Sequence, residues 1–145
     1  MSNSTPKMIF VNLPVENLDR SVAFYEAIGG RKIDACSDET AVGIAFSDSI
    51  NVMLLTREKF RTFTPREIGD AHRFSEVLTC MSCESRDVVD ATVKAGISAG
   101  GEADPGPVQE HDFMYGRSLA DPDGHIWEFM WMRPEMVLGG THPTE

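Results

Sequence analysis

The sequence predicts an α+β protein built from two βαβββ modules within a single domain, residues 1–145. Three observations predict it. Strand-like alternation gives way to helical spacing twice, in the same order. The second occurrence repeats the first, because Phe10/Leu78, Leu13/Met81, Val15/Cys83, Glu16/Glu84 and Asn17/Ser85 all match at an offset of 68 residues. That period is too long for a solenoid unit and right for a duplicated α+β module. Finally, a chain of this length makes one domain able to bury about two thirds of its unfolded surface.

Module 1 covers about residues 8–56. Phe10-Val-Asn-Leu-Pro-Val-Glu-Asn17 alternates as a strand does, with Leu13 and Val15 on one face and Phe10, Asn12 and Pro14 on the other. Asn17 then caps a helix over Leu18–Ile28, with Asp19 in its first turn and Leu18, Val22, Tyr25 and Ile28 as its apolar stripe. Gly29-Gly30 stops it. Short strands are expected at Arg31–Cys36, Thr40–Phe46 and Asn51–Thr56.

A linker of about residues 57–74 follows. Thr64 as cap, Pro65 at the first helical position, Glu67 closing the capping box and Phe63 with Ile68 as a staple predict a short helix there. It is either a packed connector or a lid over a cavity.

Module 2 covers about residues 75–132. A strand over Leu78–Ser85 ends at Ser85, which caps a helix running to about Ala95, with Val89 and Val93 inward and Gly96 as terminator. Strands are expected near Ala99–Ala103, at Phe113–Ala120 and, after the turn Asp121-Pro-Asp-Gly124, through Met132. The tail, residues 133–145, is rich in Gly and Pro and either frays or lies on a partner subunit.

Composition narrows the function. A formal net charge of −10 and a pI near 4.8 argue against nucleic acid or an anionic membrane as partner, since both need a basic face. No apolar run approaches the roughly 20 residues of a membrane span, and the first residues lack the apolar core of a signal segment. Three sparse cysteines, Cys36, Cys80 and Cys83, fit a reduced, cytoplasmic setting. Cys80-Met-Ser-Cys83 has the spacing of a redox or zinc motif. In a strand, however, residues three apart point to opposite faces, and no second pair completes a zinc site.

One residue stands out. Glu128 interrupts the apolar run Ile126-Trp-Glu-Phe-Met-Trp-Met132, and an unpaired buried carboxylate costs on the order of several kcal/mol. If Glu128 faces inward, Ile126 and Met130 share its face, while His125, Trp127, Phe129 and Trp131 face the helix layer. By the same alternation Phe10 brings Asn12, and Leu78 brings Glu76 and Cys80.

Two stretches carry a resemblance. Leu13-Pro-Val-Glu-Asn-Leu-Asp-Arg-Ser-Val-Ala-Phe-Tyr25 with Gly29-Gly30, and Gly116-Arg117 through Asp121-Pro-Asp-Gly-His-Ile-Trp-Glu128, resemble the opening and closing signatures of the vicinal oxygen chelate superfamily. That superfamily includes glyoxalase I, bleomycin-resistance and fosfomycin-resistance proteins and extradiol dioxygenases. The resemblance covers roughly residues 8–132. It implies that the two modules curl into an open, barrel-like cleft, that a divalent metal (Zn, Ni, Mn or Fe) sits there in the enzymes, and that the protein is a homodimer. It also implies four metal-ligand positions, one on the first and one on the last strand of each module. Only Glu128 matches. Phe10 and Leu78 stand at the two first-strand positions, and Met53 or Leu55 at the other last-strand position. One carboxylate does not hold a transition ion, which takes three or four ligands; a shifted site would recruit Glu76, Asn12 or His111.

The expected small-molecule pocket is therefore apolar, with Asn12, Glu76 and Glu128 as polar points, Phe10 and Leu78 at its sides, and Met53, Leu55 and Met130 as adaptable walls. His111, Tyr115 and Arg117 surround the penultimate strand. Arg117 pairs with Glu128, with an anionic substrate group, or with Asp121 or Asp123 of the turn. His111 caps the pocket or is solvated. Glu128 itself has three functional readings: metal ligand with unusual donors, metal-free general base beside a carbonyl, or anchor for a cationic or hydroxyl-bearing ligand. The first two describe a glyoxalase-like lyase or dioxygenase acting on a small carbonyl or vicinal-oxygen metabolite. The third describes a bleomycin-resistance-like binding protein without a cofactor.

Overall fold

Asn17 joins the first strand to the first helix through one side chain, whose Oδ1 accepts the Arg20 amide at 3.0 Å. That amide is one of the donors a helix cannot satisfy internally. The computed structural model describes residues 6–136 in two compact units, one ending at Phe74 and the other beginning at Ser75.

The first unit runs β1 (Ile9–Val15), α1 (Leu18–Ala27), β2 (Arg31–Ile33), β3 (Ala41–Ala45) and β4 (Ile50–Thr56). Its sheet has the order β1-β4-β3-β2, with β1 parallel to β4 and the other pairs antiparallel. Leu13, Val15, Val42, Ile44, Val52 and Leu54 are buried on the side that α1 covers. The helix answers with Ser21, Phe24, Tyr25 and Ile28; Leu18 and Val22, expected in that stripe, are only part-buried. The helix turns this way because Phe24 and Tyr25 both enter the core, their rings edge to face at 5.0 Å. Beyond Ile33 the expected strand gives way to a 3-10 turn, Asp34–Cys36.

The linker helix lies elsewhere than its start signal. It is α2 (Arg57–Arg61), directly after β4, capped by Thr56, whose Oγ1 accepts the Lys59 amide at 3.1 Å. At Thr64 the hydroxyl accepts the Arg66 amide two residues on, at 3.2 Å. That closes a local turn in competition with a helix, and Phe63, expected as half of a staple, is 63% exposed.

The second unit runs β5 (Thr79–Ser82), α3 (Arg86–Ser98), β6 (Glu102–Ala103), β7 (Gln109–Glu110), β8 (Met114–Ala120) and β9 (Ile126–Met132). Its order, β5-β9-β8-β6, repeats that of the first sheet, and the short β7 adds to β8. Ser85 caps α3 by accepting the Val88 amide at 3.1 Å. Gly96, expected to end this helix, sits within it. A methyl group there would overlap the Leu119 side chain, so the glycine lets helix and sheet approach closely. The chain leaves the helix at Gly100, with φ +99°. Trp127, Phe129 and Leu119 are buried beneath α3 with Val89 and Val93. Trp131, expected in the same core, is part-buried under the Arg86 guanidinium, 5.0 Å from the ring centroid. The described chain ends in a 3-10 turn at Pro134–Met136; the rest of the expected tail lies outside the described residues.

Candidate functional site

The turn before β9 sets everything that follows. The buried Asp121 carboxylate accepts the amides of Asp123 at 2.9 Å and His125 at 2.8 Å, and its own amide donates to the His125 carbonyl. So tight a turn leaves one antiparallel register for β8 and β9, in which Ser118 faces Glu128 and Arg117 faces Phe129. On the other side of β9, β5 runs parallel and places Cys80 beside Glu128. Trp127 and Phe129 go under the helix; Ile126, Glu128 and Met130 take the opposite face with Cys80 and Ser118.

That face holds a partly open hollow of about 60 Å³. Pro107, Met114 and Met130 are its apolar walls, and Glu128, Cys80, Ser118 and Gln109 bring polar atoms to it. Glu128 is part-buried and makes no hydrogen bond or ion pair among the described residues. Burial, and then the Glu128 charge, push the Cys80 thiol above its ordinary pKa, so it stays protonated at neutral pH.

Arg117 borders the hollow, but its guanidinium is bound on the other side. Nη2 and Nε donate to Asp104 at 2.7 and 3.1 Å, and Nη1 donates to Asp90 of α3 at 3.0 Å. Tyr115 joins the same set, its hydroxyl donating to Asp90 at 2.6 Å. The Tyr115 hydrogen bond, helped by Arg117, holds the Asp90 carboxyl below the usual range, and the same bond pushes the Tyr115 phenol up. The expected pairing of Arg117 with Glu128, or with the turn aspartates, is thus replaced by Asp90 and Asp104. The reason is strand parity: odd-numbered residues of β8 share the face of Phe129.

The other expected residues divide by unit. In the first, Phe10, Asn12, Met53 and Leu55 share the face away from α1, with Phe10 opposite Asn51, Asn12 opposite Met53, and Pro14 opposite Leu55. In the second, Met130 lines the hollow, while Leu78 is 55% exposed just ahead of β5. Glu76 is exposed and lies before the strand begins, so alternation does not bring it to the face of Cys80. His111 stands between β7 and β8, stacked on Phe113 with ring centroids 5.4 Å apart, and its carbonyl accepts a hydrogen bond from Arg86. Sequence reasoning missed Pro107, Gln109, Met114 and Ser118.

The repeat allows a direct test for a metal. In the first sheet Asn12 and Met53 occupy the places that Cys80 and Glu128 occupy in the second. The counterpart of Glu128 is therefore a thioether, and the two first-strand positions are the hydrocarbons Phe10 and Leu78. Among the described residues no three His, Cys, Asp or Glu side chains gather as a metal would need. This donor set does not fit a divalent ion.

Residues 7–129 match the family model of the Glyoxalase/Bleomycin resistance protein/Dioxygenase superfamily. A comparison with curated proteins gave no match. Similar solved structures include a hypothetical protein, SA1046, from S. aureus, with TM-score 0.73, 23% identity, and 88% of this chain and 95% of that one covered. Another is a glyoxalase/bleomycin resistance protein/dioxygenase family enzyme from Burkholderia phytofirmans PsJN, with TM-score 0.70, 17% identity, and 88% and 99% covered. A third is the fosfomycin resistance protein FosX from Mesorhizobium loti, with TM-score 0.58, 14% identity, and 90% and 93% covered. At these identities the structural likeness speaks for the fold.

Proposed function

The chain belongs to the glyoxalase/bleomycin resistance protein/dioxygenase superfamily, and from that premise we propose that it is an enzyme acting on a small carbonyl compound, with Glu128 as a metal-free general base. The superfamily often works through a divalent metal; the donor set here supports a route without one. One observation carries the reading: Glu128 lies on the hollow with its carboxylate free of hydrogen bonds and ion pairs among the described residues.

In the proposed step a Glu128 oxygen takes the proton from the carbon next to the substrate carbonyl. The electrons of that C–H bond form a C=C bond, and the carbonyl π electrons move to oxygen, giving an enolate. The Gln109 amide and the protonated Cys80 thiol are the donors on the hollow for that oxygen. Glu128 then returns a proton, its own or one exchanged with solvent, to the same carbon, so the step needs no oxidant. Met114 and Met130 supply adaptable apolar walls.

The test is exchange of the α-protons of small hydroxy ketones, from hydroxyacetone upward, followed by NMR in D₂O. Glu128→Gln removes the base, and loss of a general base lowers such rates by about 10²- to 10⁴-fold. Equal exchange by Glu128→Gln and the wild type, or no exchange above buffer by the wild type across the series, refutes the proposal. The family resemblance supports a homodimer, checked by light scattering. The sparse cysteines support a cytoplasmic setting. No described helix is long and apolar enough to cross a membrane.

A further inference from the structure

Two consecutive residues of β8 grip one segment from opposite faces. Ser118 holds it in the plane of the sheet, where its carbonyl accepts the Asp104 amide at 2.8 Å, and on the Glu128 side, where its Oγ accepts the Gly106 amide at 2.9 Å. Arg117 does so on the helix side through its two contacts with the Asp104 carboxylate, while its third arm reaches Asp90 of α3. Asp104 has φ +53°, the one positive value at a non-glycine among the described residues. A side chain disfavours that backbone conformation, and Asp is among the few residues that accept it. The turn it makes leads to Pro107 and Gln109, which stand on the hollow, and Gln109 is then fixed opposite Gly116 by β7.

We propose that Arg117 and Asp104 are positioning residues for the Glu128 hollow: their ion pair holds the left-handed turn that sets Pro107 and Gln109 as the hollow's outer wall. The inference rests on the reading of that hollow as the ligand site. Its consequence is a role for Gln109, whose side-chain amide has no hydrogen-bond partner among the described residues and lines the same small space as the carboxylate. Gln109 is the donor that the clamp presents to a ligand. The clamp acts by keeping the distance between Gln109 and Glu128.

Amide hydrogen exchange tests this in Arg117→Met and Asp104→Gly. The first removes the guanidinium. The second removes the carboxylate while leaving a residue at ease with positive φ. Exchange at positions 104 and 106 is expected to rise at least tenfold in both variants, with Leu119 and Phe129 unchanged, and Arg117→Lys to recover part of the protection. Cys80 is exposed on the same face, so its alkylation by iodoacetamide, located by fragmentation mass spectrometry, reads the wall beside it and is expected to change at least threefold in both variants. Unchanged exchange and alkylation overturn the proposal. So does a uniform rise that includes Leu119 and Phe129, because the ion pair then supports the whole unit. If Arg117→Met does not fold, Asp104→Gly, in an outer turn, decides alone. Neither readout needs turnover, and Glu128→Gln should move neither exchange site, so a failure of the catalytic reading and a failure of the clamp are told apart.

Discussion

Cys80 and Glu128 are direct neighbours on parallel strands, side by side on one face of the second sheet, where Asn12 and Met53 stand in the first. The second sheet thus carries a thiol and a carboxylate where the first carries an amide and a thioether. The pairing has a measurable consequence. Burial raises the Cys80 pKa most, and the Glu128 charge adds to it. The pH dependence of Cys80 alkylation should therefore lie above that of an ordinary thiol. In Glu128→Gln it should move down toward the ordinary value without reaching it, since burial remains. An unmoved profile would mean that the two side chains do not face each other.

Helix α3 and β8 meet at Gly96 with no room for a methyl group beside Leu119. Gly96→Ala should then be destabilising although alanine is the better helix former, because overpacking costs about 1–3 kcal/mol against a propensity gain of about 1 kcal/mol. Thermal melting checks the sign: a melting temperature equal to or above that of the wild type would show that the helix moves away freely.

Acid should weaken the Asp90 cluster in a defined window. The Tyr115 hydrogen bond, with help from Arg117, depresses the folded-state pKa of Asp90 below its ordinary 3.8. A depressed carboxyl pKa stabilises the fold above the unfolded value and loses that contribution as pH falls through the folded value. The stability difference between wild type and Asp90→Asn should hold from pH 7 down to about 4 and shrink below it. Melting curves from pH 7 to 2.5 report this, and a difference that grows in acid would reverse the assigned sign.

Ser85 caps α3 through a single hydrogen bond to the Val88 amide. Ser85→Ala should cost about 1 kcal/mol, or a drop of about 2–4 °C in melting temperature for a chain near this size. A smaller loss in Ser85→Asp would confirm capping as the cause, since aspartate both caps and suits the helix dipole.

Much of this was legible in the sequence, and the exceptions have physical causes. Caps at Asn17 and Ser85 were readable because only a short polar side chain can reach the amide three residues on. The repeat made the two sheets readable together, and alternation put Trp127 and Phe129 under the helix with Glu128 opposite. Gly96 misled because a glycine needed for close packing looks the same in sequence as one that ends a helix. The Thr64-Pro65 signal misled because capping chemistry also serves an isolated turn. Arg117 was misplaced although the information was present: counting back across the tight Asp121–His125 turn pairs Ser118 with Glu128 and sends Arg117 to the other face. The segment from Asp104 to Gln109 was out of reach. Its place depends on a left-handed aspartate and on contacts with β8, which no periodicity records.

The central claim is that Glu128 works as a free carboxylate rather than as the remnant of a metal site. It is tested most directly by following α-proton exchange on hydroxyacetone and its larger analogues with protein stripped by EDTA, then supplied in turn with Zn, Ni, Mn and Fe. Exchange that survives chelation, gains nothing from any of the metals and is lost in Glu128→Gln is the predicted result. Exchange that vanishes with EDTA and returns with one of the metals would contradict it.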